Sequence, residues 1–121
     1  KMTSPYLERG DAFDHDGDIK MAIADFAEAI RLDPKNTSAY LARGNAFAQD
    51  GNYKMASADY TEAIRLDPKM TRAYLFRGDA FAHNGDYKMA SADFAEAFRL
   101  DPKKASAHIA SGIAFFHGMV T

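Results

Sequence analysis

The chain repeats itself with a period of 34 residues. The pentapeptide RLDPK occurs three times and places prolines at Pro34, Pro68 and Pro102. Alignment on these prolines gives full units at residues 1–34, 35–68 and 69–102 and a partial unit at residues 103–121. Units two and three are identical at 24 of 34 positions, which indicates recent duplication or deliberate idealisation. Such a period is typical of proteins built from stacked units that contact only their neighbours.

Each unit is predicted to form two helices. In unit two, TSAYLARGNAFAQD and YKMASADYTEAIRL are rich in the helix-favouring residues Ala, Leu, Arg, Met and Glu. Gly51 suits the left-handed position that ends a helix, and Asn52 suits the N-cap of the next one. Pro68 cannot continue the helical hydrogen-bond ladder. We call the first helix of each unit the A helix and the second the B helix, and we predict an all-α fold.

Aromatic, glycine and small positions recur in phase in every full unit. The A helices carry Tyr6, Gly10 and Phe13, then Tyr40, Gly44 and Phe47, then Tyr74, Gly78 and Phe81. Unit two continues with Gly51, Ala56, Tyr60, Ala63 and Pro68, and units one and three have equivalents. This pattern resembles the tetratricopeptide repeat and covers essentially the whole chain. The resemblance implies one domain of residues 1–121, an α-solenoid with a right-handed superhelix, three full repeats and a C-terminal capping helix.

One position departs from the family pattern, which usually has Leu just before the glycine of the A helix. Arginine stands there in all three units, and each B helix carries an aspartate; the residues are Arg9, Arg43, Arg77 and Asp25, Asp59, Asp93. We expect each arginine to pair with an aspartate, within a unit or between units. The alternative is that each arginine extends alone into solvent.

Two further repeated positions are expected in the core. Glycine in the middle of a helix costs about 1 kcal/mol relative to alanine, which is tolerated where packed helices must approach closely. Gly44 and its equivalents are therefore predicted at a close helix–helix contact. Met21, Met55 and Met89 share one repeat position, which favours core packing over a binding surface.

The side of each A helix opposite its B helix is the candidate binding surface. In tetratricopeptide proteins this side lines a concave groove that holds peptides. Carried over by position, the groove residues are Leu7, Asp11, Asp14, His15, Leu41, Asn45, Gln49, Arg72, Leu75, Asp79 and His83. Leucines beside acidic and amide groups favour a peptide or protein ligand with apolar anchors and basic residues. The alternative is a solvated face with scattered leucines.

Some family members hold a C-terminal carboxylate in this groove with lysine and asparagine. The lysine positions are occupied here by Leu7, Leu41 and Leu75, and of that clamp only Asn45 remains. Binding of chaperone tails is therefore not expected.

Composition argues against several other functions. The net charge of −2 and the absence of a Lys/Arg cluster do not favour nucleic acid, and no apolar run is long enough for a membrane span. The chain has no cysteine, which excludes thiolate chemistry and leaves the compartment open, with the cytoplasm favoured. No catalytic grouping or phosphate loop stands out, so neither an enzyme nor a cofactor is expected.

Metal binding is not expected either. Asp14, Asp16 and Asp18 occupy alternate positions, as at the start of an EF-hand calcium loop. Counted from Asp14, however, the sixth position is Ile19, where that loop requires Gly, and the twelfth is an aspartate, where it requires Glu. His15 and His83 are two units apart, too far to share an ion.

In the predicted C-terminal capping helix, apolar residues lie on almost every face. The outer face of a terminal helix in a repeat array should instead be polar. This surface is expected to be covered, either by self-association through Ile109, Ile113, Phe115, Phe116 and Met119 or by the continuation of a longer array. A frayed tail is the alternative. The family resemblance and the candidate groove together predict a non-enzymatic protein-interaction module. The alternatives are a self-associating structural element and the targeting domain of a larger protein.

Overall fold

The computed structural model describes residues 5–15 and 17–110, and all regular secondary structure within them is helical. The helices are α1 (Pro5–His15), α2 (Ile19–Leu32), α3 (Thr37–Gln49), α4 (Tyr53–Leu66), α5 (Thr71–His83) and α6 (Tyr87–Leu100). Residues 102–110 are helical as well. The A helices are therefore α1, α3 and α5, and the B helices are α2, α4 and α6. The predicted all-α architecture of helix-turn-helix units is confirmed.

The turn inside each unit has the predicted chemistry. Gly17, Gly51 and Gly85 have φ values of 84°, 80° and 85°, the left-handed conformation that favours glycine. Asp18 and Asn52 follow two of these glycines and cap the next helix, each side chain accepting a hydrogen bond from a backbone N–H three residues on. The stretch that resembles a calcium loop therefore begins a B helix.

The helices stack in chain order. Each helix packs against the next one, and α3 also touches both α1 and α5. The A helices therefore lie side by side along one face of the solenoid. Alanines occupy the tightest contacts of the B helices and are almost completely buried, at Ala22, Ala29, Ala56, Ala63, Ala90 and Ala97. Small side chains at these points allow the helix axes to come close.

The glycines in the middle of the A helices lie against aromatic rings. A Cβ atom placed on Gly44 would come within 2.6 Å of Cε1 of Tyr60. Gly10 and Gly78 stand in the same relation to Phe26 and Phe94, at 2.6 and 2.7 Å. The predicted close contact is confirmed, and the ring of the B helix is the group that makes it.

The predicted Arg–Asp pairing is confirmed, and every pair lies within one unit. The pairs are Arg9–Asp25, Arg43–Asp59 and Arg77–Asp93. In each pair Nε and Nη2 donate to the two carboxylate oxygens at 2.7–2.8 Å. The aspartates are only 5% exposed, so each bidentate pair keeps a buried charge compensated at the contact between the A and B helices.

The prediction that the repeated methionines are core residues is wrong. Met21, Met55 and Met89 are 48%, 45% and 53% exposed. On α4 the buried apolar stripe is formed by Ala56, Tyr60 and Ala63, which are spaced four and three residues apart. Met55 is one residue from this stripe, and a rotation of 100° turns it towards solvent.

None of the helices within residues 5–15 and 17–110 combines the length and the apolarity that crossing a lipid bilayer requires.

Candidate functional site: a groove between the A helices

A groove of about 380 Å³ opens between α3 and α5. Helix α1 and helix α4 complete its walls. The lining residues are Asp14, Asn45, Ala48, Gln49, Tyr53, Tyr60, Phe76, Asp79, Ala80 and His83. The groove therefore combines carboxylate, amide and aromatic groups from three successive units.

Five predicted groove residues line this space together: Asp14, Asn45, Gln49, Asp79 and His83. They come from the second half of each A helix. Asp11, His15 and Arg72 are exposed and lie outside the lining.

The predicted apolar stripe is not a surface of the groove, and this expectation is corrected. Leu7, Leu41 and Leu75 are 9%, 6% and 2% exposed and belong to the hydrophobic core. Each A helix packs against its own B helix and also against the neighbouring unit, so two sides of it are covered. The leucines lie on the second of these sides. Apolar contact in the groove comes instead from aromatic residues.

One wall of the groove is fixed by a hydrogen bond between α4 and α3. The Tyr60 hydroxyl donates to Oδ1 of Asn45 at 2.6 Å. Burial raises the pKa of Tyr60 well above its usual range, and the nearby carboxylates add to this, so the hydroxyl remains a donor. Because Oδ1 of Asn45 accepts this bond, its NH₂ group is left as a donor.

The opposite wall carries an aspartate that contacts the last described helical segment. Oδ2 of Asp79 lies 2.7 Å from Nε2 of His108. Burial raises the pKa of Asp79, and the interaction with His108 opposes this shift without cancelling it. The His108 ring also meets Phe76 edge-on, with centroids 6.1 Å apart. This polar contact of His108 with a groove residue was not predicted from the sequence.

Aromatic surfaces flank these polar groups. Tyr53 and His83 are stacked, with centroids 4.7 Å apart and an interplanar angle of 6°. Tyr60 and Phe76 lie 5.9 Å apart in a tilted arrangement. These rings give the groove flat, apolar surfaces, which the buried leucines do not supply.

The end of the groove at α1 is acidic. Oδ1 of Asp14 is inaccessible to solvent and accepts no hydrogen bond from the part of the chain that the structure describes. Asp11 lies nearby, and its pKa is raised by desolvation and then by the charge of Asp14. This part of the groove therefore concentrates negative charge.

Sequence reasoning did not assign Tyr53, Tyr60, Phe76 or Ala80 to the groove. Two of them depart from the repeat in ways that carried a signal. Tyr60 has a hydroxyl where units one and three have Phe, and a buried hydroxyl needs a partner. Phe76 replaces Glu8 and Ala42 of the other units, so its bulk marks a place where unit three differs.

Within residues 5–15 and 17–110, no three His, Asp or Glu side chains come close enough together to hold a metal ion.

Sequence comparison identifies the class of protein. Family models described as tetratricopeptide repeats match residues 41–90 and residues 10–51. The chain belongs to the tetratricopeptide repeat family, as its 34-residue period and paired helices indicated. No curated protein sequence matches it.

Solved structures of tetratricopeptide domains have the same fold. The Arabidopsis OM64 TPR domain is 32% identical with a TM-score of 0.81, over 88% of this chain and 89% of that one. The second TPR domain of human RPAP3, determined with the HSP70 peptide SGPTIEEVD, is 29% identical with a TM-score of 0.81, over 88% and 90%. MamA is 28% identical with a TM-score of 0.78, and the match covers 84% of this chain and 59% of MamA.

Proposed function

We propose that this chain is a non-catalytic interaction module that binds an extended peptide segment of a partner protein in the groove between α3 and α5. The observation that carries the proposal is the composition of the groove, in which carboxylate, amide and aromatic groups from three units surround one open space. A few placed polar groups among aromatic surfaces are typical of ligand sites.

Structural relatives support a peptide as the ligand. The second TPR domain of human RPAP3 was solved with the HSP70 peptide SGPTIEEVD, and the second TPR domain of Spaghetti (RPAP3) was solved with the HSP90 peptide SRMEEVD. Those peptides carry several carboxylates, whereas the groove of this chain is itself acidic through Asp14 and Asp79. The lysine positions of the family's carboxylate clamp hold the buried leucines. A different peptide class is therefore proposed for this chain.

A peptide library displayed on phage tests the proposal, with a matched pair of variants. Ala48 lies in the groove, whereas Ala58 is exposed on α4 outside the groove lining. Peptides selected on the wild type should bind Ala48→Met at least tenfold more weakly, because the larger side chain fills the groove. They should bind Ala58→Met as tightly as the wild type. Equal binding to all three proteins, or no selected peptide, would contradict the proposal.

The predicted self-association stays a separate prediction. Of its residues, Ile109 is half-buried in the last described helical segment. Ile113, Phe115, Phe116 and Met119 lie outside the described residues. Light scattering over a concentration series tests this alternative, since a strict monomer at high concentration would argue against it.

A further inference from the structure

The groove is anionic and has no fixed cation of its own. Asp14 and Asp79 lie on its walls, and none of the described residues that line it is Lys or Arg. Arg43 and Arg77 are engaged in pairs with Asp59 and Asp93, and Arg72 lies outside the groove lining. Apart from the contact of Asp79 with His108, the carboxylates of the groove are therefore left for a ligand to balance.

Asp14 supplies negative charge at the end of the groove towards α1. Its Oδ1 is shielded from water and lacks a hydrogen-bond donor among the described residues. A ligand cation therefore meets Asp14 through its charge rather than through a hydrogen bond to this oxygen. Across the groove, Asp79 uses Oδ2 for His108 and retains Oδ1 as a second acceptor.

The aromatic surfaces restrict the shape of the cation. The Tyr53 and His83 rings form a stacked pair, and Phe76 lies on the helix that carries His83. A guanidinium group is flat, stacks on aromatic faces and presents five N–H donors in a fixed plane. A lysine ammonium is a compact, strongly hydrated point charge that uses such faces less well.

We propose that this groove recognises an arginine side chain of the bound peptide, with its guanidinium beside Oδ1 of Asp79 and stacked on the aromatic rings, while Asp14 adds negative charge at the end of the groove towards α1. The amide of Asn45, fixed by Tyr60, orients the peptide backbone beside it. This inference rests on the proposed peptide-binding function and defines the ligand class more narrowly. The same charges disfavour peptides whose bound segment is rich in carboxylates.

The first test changes the peptide and leaves the protein unchanged. Peptides selected on the wild type are synthesised with arginine, lysine or citrulline at the selected basic position, and binding is measured by isothermal titration calorimetry. Citrulline keeps the planar shape of arginine and removes its charge. The arginine peptide should bind at least tenfold more tightly than the citrulline peptide and several-fold more tightly than the lysine peptide. Equal affinities for arginine and citrulline would overturn the inference.

The protein side uses three Asp→Asn variants that change the charge by the same amount. Asp79→Asn should weaken binding of the arginine peptide about tenfold, and Asp14→Asn, whose charge acts at longer range, should weaken it less. Asp86→Asn is the control, because Asp86 is an exposed N-cap outside the groove and unit two has asparagine at that position. It should bind like the wild type. If Asp86→Asn lost as much affinity as the groove variants, the effect would come from the net charge of the protein alone, and the inference would be overturned.

The outcomes separate this inference from the proposed function. Selected peptides that lose binding in Ala48→Met but carry no arginine would overturn the arginine assignment and leave peptide binding in the groove intact. The absence of any peptide that depends on the groove would overturn both.

Discussion

Arg43 of α3 holds Asp59 of α4 through two hydrogen bonds of 2.8 Å, one to each carboxylate oxygen. Asp59 is 5% exposed, so the guanidinium provides most of the compensation for its charge. The same guanidinium lies over the rings of Tyr40 and Phe47, at 5.9 and 5.8 Å from their centroids. Arginine therefore fills the usual leucine position of the family while it fixes the A helix to its B helix.

Removal of one member of this pair should destabilise the chain strongly. Asp59→Asn keeps the shape of the side chain but leaves the guanidinium of Arg43 without its anion in a partly buried place. We expect a loss of roughly 2 to 4 kcal/mol in the free energy of unfolding, measured with urea, because breaking a buried pair leaves an uncompensated charge. Glu62→Gln, which breaks the exposed pair with Arg65, should cost less than about 1 kcal/mol. Equal losses in the two variants would contradict the assigned importance of burial.

Acid should act on the corresponding pair of unit one. The hydrogen bonds from Arg9 hold the pKa of Asp25 below its ordinary range. A carboxyl whose pKa is lowered by folding stabilises the folded state above its unfolded pKa, and this contribution is lost as the pH falls through the folded value. The free energy of unfolding, measured with urea over a series of pH values, should fall as the pH drops below the ordinary pKa of aspartate. This fall should be smaller in Asp25→Asn than in the wild type. A parallel acid dependence of the two proteins would argue against this contribution.

The two kinds of glycine should fail for different reasons when they are replaced by alanine. Gly44→Ala places a methyl group 2.6 Å from the Tyr60 ring, and overpacking of this kind costs about 1 to 3 kcal/mol. Gly51→Ala meets no atom within 4 Å, but its φ of 80° is strained for alanine, at a cost of about 1 to 2 kcal/mol. In a Tyr60→Leu background the cost of Gly44→Ala should fall, whereas that of Gly51→Ala should not. Thermal unfolding of the three single variants and the two double variants measures this difference.

The fold could be predicted because its determinants are local and repeat three times. Turn glycines, helix caps and RLDPK prolines act within a few residues, so the sequence alone places the helix boundaries. The Arg–Asp pairs were also predictable, since both charges recur together in every full unit. Burial of Leu41 was not, because the helical period relates a residue to its own helix and does not show that the neighbouring unit covers a second side.

The groove was predicted only in part for a related reason. Asn45, Asp79 and His83 project from A helices and follow the repeat, so their positions could be carried over from the family pattern. Tyr53 comes from the first turn of a B helix and reaches the groove by stacking on His83 of the next unit. Contacts of this kind depend on how the units are stacked, and the period does not encode them.

The burial of the leucines and the exposure of the methionines predict opposite responses to truncation. Leu41→Ala should cost about 2 to 5 kcal/mol, because it leaves a cavity between the units. Met55→Ala should change the free energy of unfolding by less than about 1 kcal/mol, since its side chain is 45% exposed and its removal leaves no cavity. Chemical denaturation of the two variants is the measurement. A large loss in Met55→Ala would restore the original core interpretation of the methionines.

Asp79 should lower the stability of the fold at neutral pH. Burial raises its pKa despite the opposing effect of His108, so the folded state favours the protonated carboxyl. The corresponding stabilisation is present at low pH and is lost as the pH rises through the raised pKa. Asp79→Asn, which has the amide that Asn45 provides in unit two, should therefore gain stability relative to the wild type as the pH increases over this range. Urea unfolding at acidic and neutral pH measures the change, and Asp86→Asn controls for the loss of one negative charge. A difference between Asp79→Asn and the wild type that stayed constant with pH would show that burial does not penalise this carboxylate.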